Sequence, residues 1–135
     1  MKSILIITMT LLIGLNCYAQ NPVGKWKKIS VVSSYKGETF DSHKALLTQR
    51  PCAAKIIYKI NADGTYRLDA SGSGCDDSYK KIQEKLWSET KWKLDGNKMN
   101  IYVIDPSLGD IYTVTFSGNK MIWKNEYDVI TYQKL

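Results

Sequence analysis

The chain has 135 residues, 44% of them hydrophobic, with a formal net charge of +6 and a single histidine. That length suits one domain and is too short for two. The positive excess is spread out with no clustered Lys/Arg stripe, which argues for a solvated outer face and against a nucleic-acid partner.

Met1-Lys2-Ser3 is a short basic start, Ile4 to Leu15 is an apolar run, and Cys17-Tyr18-Ala19 offers a small residue before Gln20. This is the three-part pattern of a secretory signal peptide, and the run is too short to span a bilayer. Cleavage after Ala19 assigns residues 1–19 to the signal and residues 20–135 to one exported domain, periplasmic or secreted. Lipid attachment at Cys17 is disfavoured, because Gly14 and Asn16 occupy the positions where a lipidation signal needs Leu and a small residue. Removal of the signal leaves Cys52 and Cys75, and an even count in an exported protein reads as a disulfide. There is no CxxC, and His43 stands apart from Cys52, so no metal-ligand spacing is present.

The first predicted strand runs from about Gly24 to Ser33, with an imperfect alternation of Trp26, Ile29, Val31 and Val32 that implies a bulge or bend. Ser34 to Arg50 is a long connection. It holds a short helix ending at Leu47, capped by Asp41 or Ser42, with Phe40 as a hydrophobic staple and Pro51 as the stop. Ala62-Asp63-Gly64 then fits a three-residue hairpin loop with Gly in the left-handed region. That loop pairs Ile60 with Tyr66, Tyr58 with Leu68 and Ile56 with Ala70 on one face, and sends Lys55, Lys59, Arg67 and Asp69 to the other. A slip by one residue would bury Arg67 and Asp69 unpaired, at several kcal/mol each on the order of a buried charge's cost. The same register sets Cys52 opposite Gly74, within reach of Cys75.

Asp76 to Trp87 reads as a second short helix, with Asp77 as cap and Tyr79, Ile82 and Leu86 at helical spacing. Strands from about Ser88 to Leu94 and Lys98 to Asp105 are joined by Gly96-Asn97, compatible with a type II′ turn. Asp105-Pro106-Ser107-Leu108-Gly109 is a looser connection. Strands Asp110 to Ser117 and Lys120 to Lys124 repeat the hairpin around Gly118-Asn119, and a last strand covers Asp128 to Lys134. The predicted pairs are Leu94 with Met99, Trp92 with Ile101, Phe116 with Met121, and Val114 with Trp123. In the last strand the inward face is open between Ile130/Tyr132 and Val129/Thr131.

These eight strands have connections of alternating character. The second, fourth and sixth are tight turns, while the first and third are long and carry the helices. In a meander the connections alternate between two ends, so one end is tightly closed and the other elaborated. The fold class expected is all-β: an eight-stranded antiparallel up-and-down barrel with short helical segments in its first and third connections. A barrel of that size is filled by side chains or holds one small ligand.

Gly24-Lys25-Trp26 resembles the Gly-x-Trp that opens the first strand of lipocalins. Together with Asn61-Ala62-Asp63-Gly64-Thr65-Tyr66, the Trp92 to Met99 hairpin and Ile130-Thr131-Tyr132, the chain is similar to the exported lipocalin-like domains of Bacteroidetes-type bacteria. The resemblance covers nearly all of Val23 to Leu135. It implies a small-molecule binder, with a late basic residue over the first-strand Trp for which only Lys134 offers a match.

Since Gly24 and Trp26 begin at the tightly turned end, they are expected to form the barrel floor. The inward set is Tyr58, Tyr66, Trp92, Met99, Tyr112, Val114, Phe116 and Trp123. Of these and their neighbours, Ile56, Tyr58, Tyr66, Trp92, Ile101, Tyr112, Trp123 and Trp87 are the candidate ligand-binding residues, lining an apolar cavity with a few Tyr hydroxyl and Trp N–H groups. Phe40, Leu46, Leu47, Tyr79, Leu86 and Trp87 would form a lid or a plug. Outside, Tyr102, Ile104, Ile111 and Ile122 are apolar where lysines dominate, a surface suited to a partner or a homodimer. No catalytic set converges: His43 has no nucleophile beside it, and helix capping accounts for Asp76-Asp77. The sequence therefore predicts a non-enzymatic protein without cofactor that binds a small apolar or amphipathic molecule at the barrel mouth. The alternative is a protein–protein module of the cell envelope with a filled barrel.

Overall fold

Strand β1 (Gly24–Tyr35) is the longest element and pairs with three other strands: β2 (Glu38–Asp41), β3 (Ile57–Ile60) and β9 (Asp128–Lys134). The computed structural model describes residues 21–135, so the expected signal segment and its expected cleavage point lie outside the described residues. The remaining strands are β4 (Tyr66–Asp69), β5 (Lys91–Asp95), β6 (Lys98–Tyr102), β7 (Asp110–Ser117) and β8 (Lys120–Lys124). Their order is β4-β3-β1-β9-β8-β7-β6-β5, every neighbouring pair antiparallel, with β2 folded back on β1. A bridge between Thr65 and Lys91, with Tyr66 N–H donating to Thr90 O at 3.0 Å and Trp92 N–H to Gly64 O at 2.9 Å, brings the two edges together. The result is a nearly closed, eight-stranded up-and-down barrel, as the connection pattern predicts.

The glycine turns set the registers. Gly64 has φ +87° and the pairs are Ile60–Tyr66 and Tyr58–Leu68. Gly96 and Gly118 both have φ +59° while Asn97 and Asn119 stay at negative φ, which is the type II′ pattern. Leu94 pairs with Met99, Trp92 with Ile101, Phe116 with Met121 and Val114 with Trp123. The expected bulge lies at Ile29: Lys28 pairs with Tyr132 and Ser30 with Thr131, leaving Ile29 as the extra residue. Tyr132 is buried and Ile130 packs on the core, which resolves the inward face of β9.

Several local expectations are corrected. The long first connection contains a hairpin, because Lys36 (φ +49°) and Gly37 (φ +79°) both turn in the left-handed region and return β2 along β1. Helix α1 (Ser42–Gln49) is capped by Asp41, which accepts from Lys44 N–H at 2.9 Å. Phe40 is 62% exposed on β2, so it does not act as a buried staple. Pro51 opens a 3₁₀ turn (Pro51–Lys55) after the helix stops. Helix α2 (Asp77–Leu86) is capped by Asp76 rather than Asp77, with the Asp76 side chain accepting from Tyr79 N–H at 2.9 Å. Strand β6 ends at Tyr102, and Asp105 caps a second 3₁₀ turn (Pro106–Leu108) by accepting from Ser107 N–H at 2.9 Å. Cys52 and Cys75 form the disulfide, with Cα atoms 5.3 Å apart, and tie the first 3₁₀ turn to the approach of α2.

Candidate functional site: the elaborated end and the interior

Inward alternation on the strands stacks aromatic rings through the middle of the barrel. Trp123 lies 4.9 Å from Tyr132, 6.0 Å from Tyr66 and 5.5 Å from Tyr112, and Tyr58 lies 5.6 Å from Tyr132. Tyr66 and Tyr132 share a hydrogen bond at 3.2 Å between hydroxyls. Burial first, and then the neighbouring tyrosine, pushes Tyr66 well above the ordinary phenol range; burial does the same to Tyr132. Both are therefore neutral polar groups and not bases. Each such ring pair contributes roughly 0.5–1.5 kcal/mol beyond its buried area. The centre is a packed aromatic core.

That packing distributes the predicted ligand-binding residues between two places. Ile56, Tyr58, Tyr66 and Trp123 are buried members of the core, and Tyr112 packs against it half-buried. Trp92 lies lower than its place at the mouth would require. Strand tilt carries it to the β3–β4 turn, where its Nε1 donates to Asn61 O at 2.9 Å. Trp92 there borders a shallow hollow with Ala62, Asp63 and Leu94, and only Trp87 and Ile101 border the open space at the elaborated end.

That space is a groove of about 500 Å³ at the elaborated end, walled by Leu86 and Trp87 from α2 and by Ile101, Tyr102, Val103, Ile104 and Leu108 from β6 and its onward connection. Each wall has a local cause. Trp87 terminates α2 and packs its ring 5.3 Å from Tyr66. Arg67 fixes the segment behind it, donating to Tyr66 O at 2.8 Å and Thr90 O at 2.7 Å. The opposite wall bends away at Asp105-Pro106 and returns through Gly109, against which a Cβ would meet Ile101 O at 2.5 Å. Leu86, Ile104 and Leu108 are 66%, 89% and 85% exposed, so the groove offers apolar surface to solvent. Asp105 and Asp110 stand at its edge. The Ser107 N–H and hydroxyl hold the Asp105 carboxyl below the usual carboxylate range, giving the rim negative charge.

The two helices lie at the same end. Leu47, Tyr79 and Trp87 pack on the core from above, while Phe40, Leu46 and Leu86 are exposed. The Arg50 guanidinium stacks 3.9 Å from the Tyr79 ring centre and pairs with Asp76 at 2.7 Å, joining the end of α1 to the cap of α2. Sequence reasoning missed the connection residues Val103, Leu108 and Gly109. Their signal was the apolar content of a loop between two strands.

The outward residues Tyr102, Ile104, Ile111 and Ile122 do not form one patch. Ile111 pairs with Asn100 but Ile122 pairs with Thr115, four residues further along β7, and Ile104 lies in the connection. At the closed end Trp26 is buried, its Nε1 donating to Pro22 O at 2.7 Å, with the Lys134 ammonium 5.0 Å from its ring centre.

A sequence model described as a lipocalin-like domain matches residues 23–123. No curated protein and no solved structure matches the chain.

Proposed function

The chain belongs to the lipocalin-like domain family, and we propose that it is an exported protein that binds a small apolar or amphipathic molecule in the groove at the elaborated end of the barrel. The observation that carries this reading is the groove of about 500 Å³ between Leu86/Trp87 and the Ile101–Leu108 segment, a size within the range of small-ligand sites. Apolar walls with Asp105 and Asp110 at the rim favour a neutral or cationic polar end over an anionic one. The Cys52–Cys75 bridge supports an oxidising, extracytoplasmic location, and no helix among the described residues is long and apolar enough to cross a membrane. Binding here requires no catalytic group.

The test is titration with a neutral naphthylamine dye, read by dye fluorescence and by quenching of tryptophan emission. One-to-one saturable binding, weakened about tenfold or more by Leu86→Asp or Ile104→Asp, supports the groove. Equal binding by parent and variants overturns it.

A second reading is a protein–protein module. The aromatic core and the exposure of Ile82, Leu86, Ile104 and Leu108 favour it. Concentration-dependent association, measured by light scattering and abolished by the same two substitutions, would select it.

A further inference from the structure

The groove at the elaborated end carries two carboxylates, Asp105 and Asp110, on walls that are mostly apolar. The backbone fixes where they stand. Asp105 begins the turn after β6, where its Oδ1 accepts from the Ser107 N–H at 2.9 Å and from the Ser107 hydroxyl at 2.8 Å. Asn100 Nδ2 donates to Pro106 O at 2.8 Å and ties the same turn to β6. Asp110 opens β7 directly opposite Ile101, so their side chains share one face of the sheet, and Ile101 lines the groove. The acidic rim is thus set before any ligand arrives.

The second observation is what these carboxylates lack. Both Ser107 bonds fall on one oxygen of Asp105, which leaves Oδ2 without a protein partner. Ion pairs among the described residues join Arg50 to Asp76, Lys59 to Asp69 and Lys80 to Asp77, and none takes in Asp105 or Asp110. Yet the chain holds 19 Lys and Arg against 13 Asp and Glu. Even Lys85, next to Leu86, and Lys91, opposite Tyr102 on β5, are exposed and pair with neither acid. In a basic protein, an apolar groove has two acids on its rim and no cation of the chain to neutralise them.

We propose that this groove selects an organic cation, a primary amine or quaternary ammonium with an apolar tail, whose tail lies along Leu86, Ile101, Ile104 and Leu108 and whose charged end sits at Asp105 and Asp110. The proposal rests on the reading of the groove as a ligand site and names the class of ligand. A cationic end gives the free carboxylate oxygens a counter-charge, an alcohol offers them a neutral hydrogen bond, and a carboxylate adds a third negative charge. Trp87 and Tyr102 contribute aromatic rings to the same lining, which also favour a cation. The rim is open to water, so the preference is modest and adds to the burial of the tail. It is local as well, because a chain of net charge +6 does not attract cations as a whole.

Octyltrimethylammonium, octan-1-ol and octanoate share a tail length and differ in charge. The experiment measures how each displaces the neutral naphthylamine dye from the folded protein lacking residues 1–19, below micellar concentrations. The ammonium should bind about threefold to tenfold tighter than the alcohol, with octanoate weakest. Asp105→Asn together with Asp110→Asn should erase this order and bring the cation to the level of the alcohol; Asn keeps the capping bond of the turn. Asp95→Asn, which removes a carboxylate at the closed end of β5, should keep the order. Failure of the dye to bind would overturn the groove and this proposal together. A bound dye displaced equally by all three compounds, or best by octanoate, would overturn the cation alone. So would a preference that survives in the folded double variant or disappears in Asp95→Asn.

Discussion

The Lys134 ammonium lies 5.0 Å from the centre of the Trp26 indole and donates to the Val23 carbonyl at 3.2 Å, clamping the last strand over the first. Gly24 makes this approach feasible. Its φ is +148°, and a Cβ there would stand 3.0 Å from Lys134 Nζ. Gly, any residue, Trp is thus one half of a lock whose other half is a lysine at the opposite terminus. Lys134→Met should cost about 0.5–1 kcal/mol of unfolding free energy, and Trp26→Ala about 3–5 kcal/mol. Gly24→Ala should cost more than Lys134→Met, with the pair less than additive because the clash disappears with the lysine. Urea denaturation of the four proteins measures this, and strict additivity would refute the lock.

Lys28 makes stability depend on pH in a defined direction. Its folded-state value is lowered by burial to about 8 from 10.5, so the fold binds fewer protons than the unfolded chain between those values. Stability from this residue therefore rises with pH through that window, and the cost is fully present below it. Tyr66 and Tyr132, held neutral by burial, act oppositely once unfolded tyrosines ionise above about 10. The rise is accordingly seen below that point. Lys28→Met should gain roughly 1–2 kcal/mol at neutral pH and flatten the profile between about 8 and 10. Thermal midpoints across this range provide the check, and a destabilised Lys28→Met protein would contradict it.

Gly109 owes its place to space and not to φ. A Cβ would lie 2.5 Å from Ile101 O and 2.8 Å from Tyr102 Cβ, the first residue held by the β6–β7 ladder and the second by the β5–β6 ladder. Gly109→Ala should therefore cost about 1–3 kcal/mol and widen the groove. Gly72 meets nothing within 4 Å and has no positive φ, so Gly72→Ala should be neutral or stabilising by up to about 1 kcal/mol. Calorimetry of the two variants distinguishes crowding from a general glycine effect.

The Cys52–Cys75 bridge closes a loop across a sequence separation of 23, worth about 3 kcal/mol in the chain-entropy account. Reduction, or Cys52→Ser with Cys75→Ser, should lower the midpoint accordingly. Unfolded, unreduced protein lacking residues 1–19 should yield no free thiol on labelling. Two labelled thiols would disprove the bridge.

The barrel was legible wherever backbone geometry forces a residue type. Gly64, Gly96 and Gly118 announce their turns, and each turn fixes the register of its hairpin. Where an ordinary residue adopts the same conformation the signal is lost: Lys36 turns at positive φ, so β2 read as loop. Asp76 and Asp77 are the same residue type one position apart, and only the accepted Tyr79 N–H separates cap from first turn. Lys28 was hidden for another reason. An inward lysine has the same letter as the many outward ones, and only the two-residue step from the buried Trp26, ahead of the Ile29 bulge, marks it as inward. The groove escaped because Val103 to Leu108 gathers its apolar residues through a bend and not through a period.

The join between β4 and β5 holds through one bridge and its flanking backbone bonds, whereas every other neighbouring pair has a full ladder. Mechanically the molecule is a curled ribbon with a latch. Thermal excursions concentrate at the weakest seam, so Thr65–Tyr66 against Thr90–Trp92 is where the ring parts first while the other ladders stay zipped. Tyr66 borders that seam and Trp87 packs on Tyr66, so the aromatic core is backed there by the fewest backbone bonds.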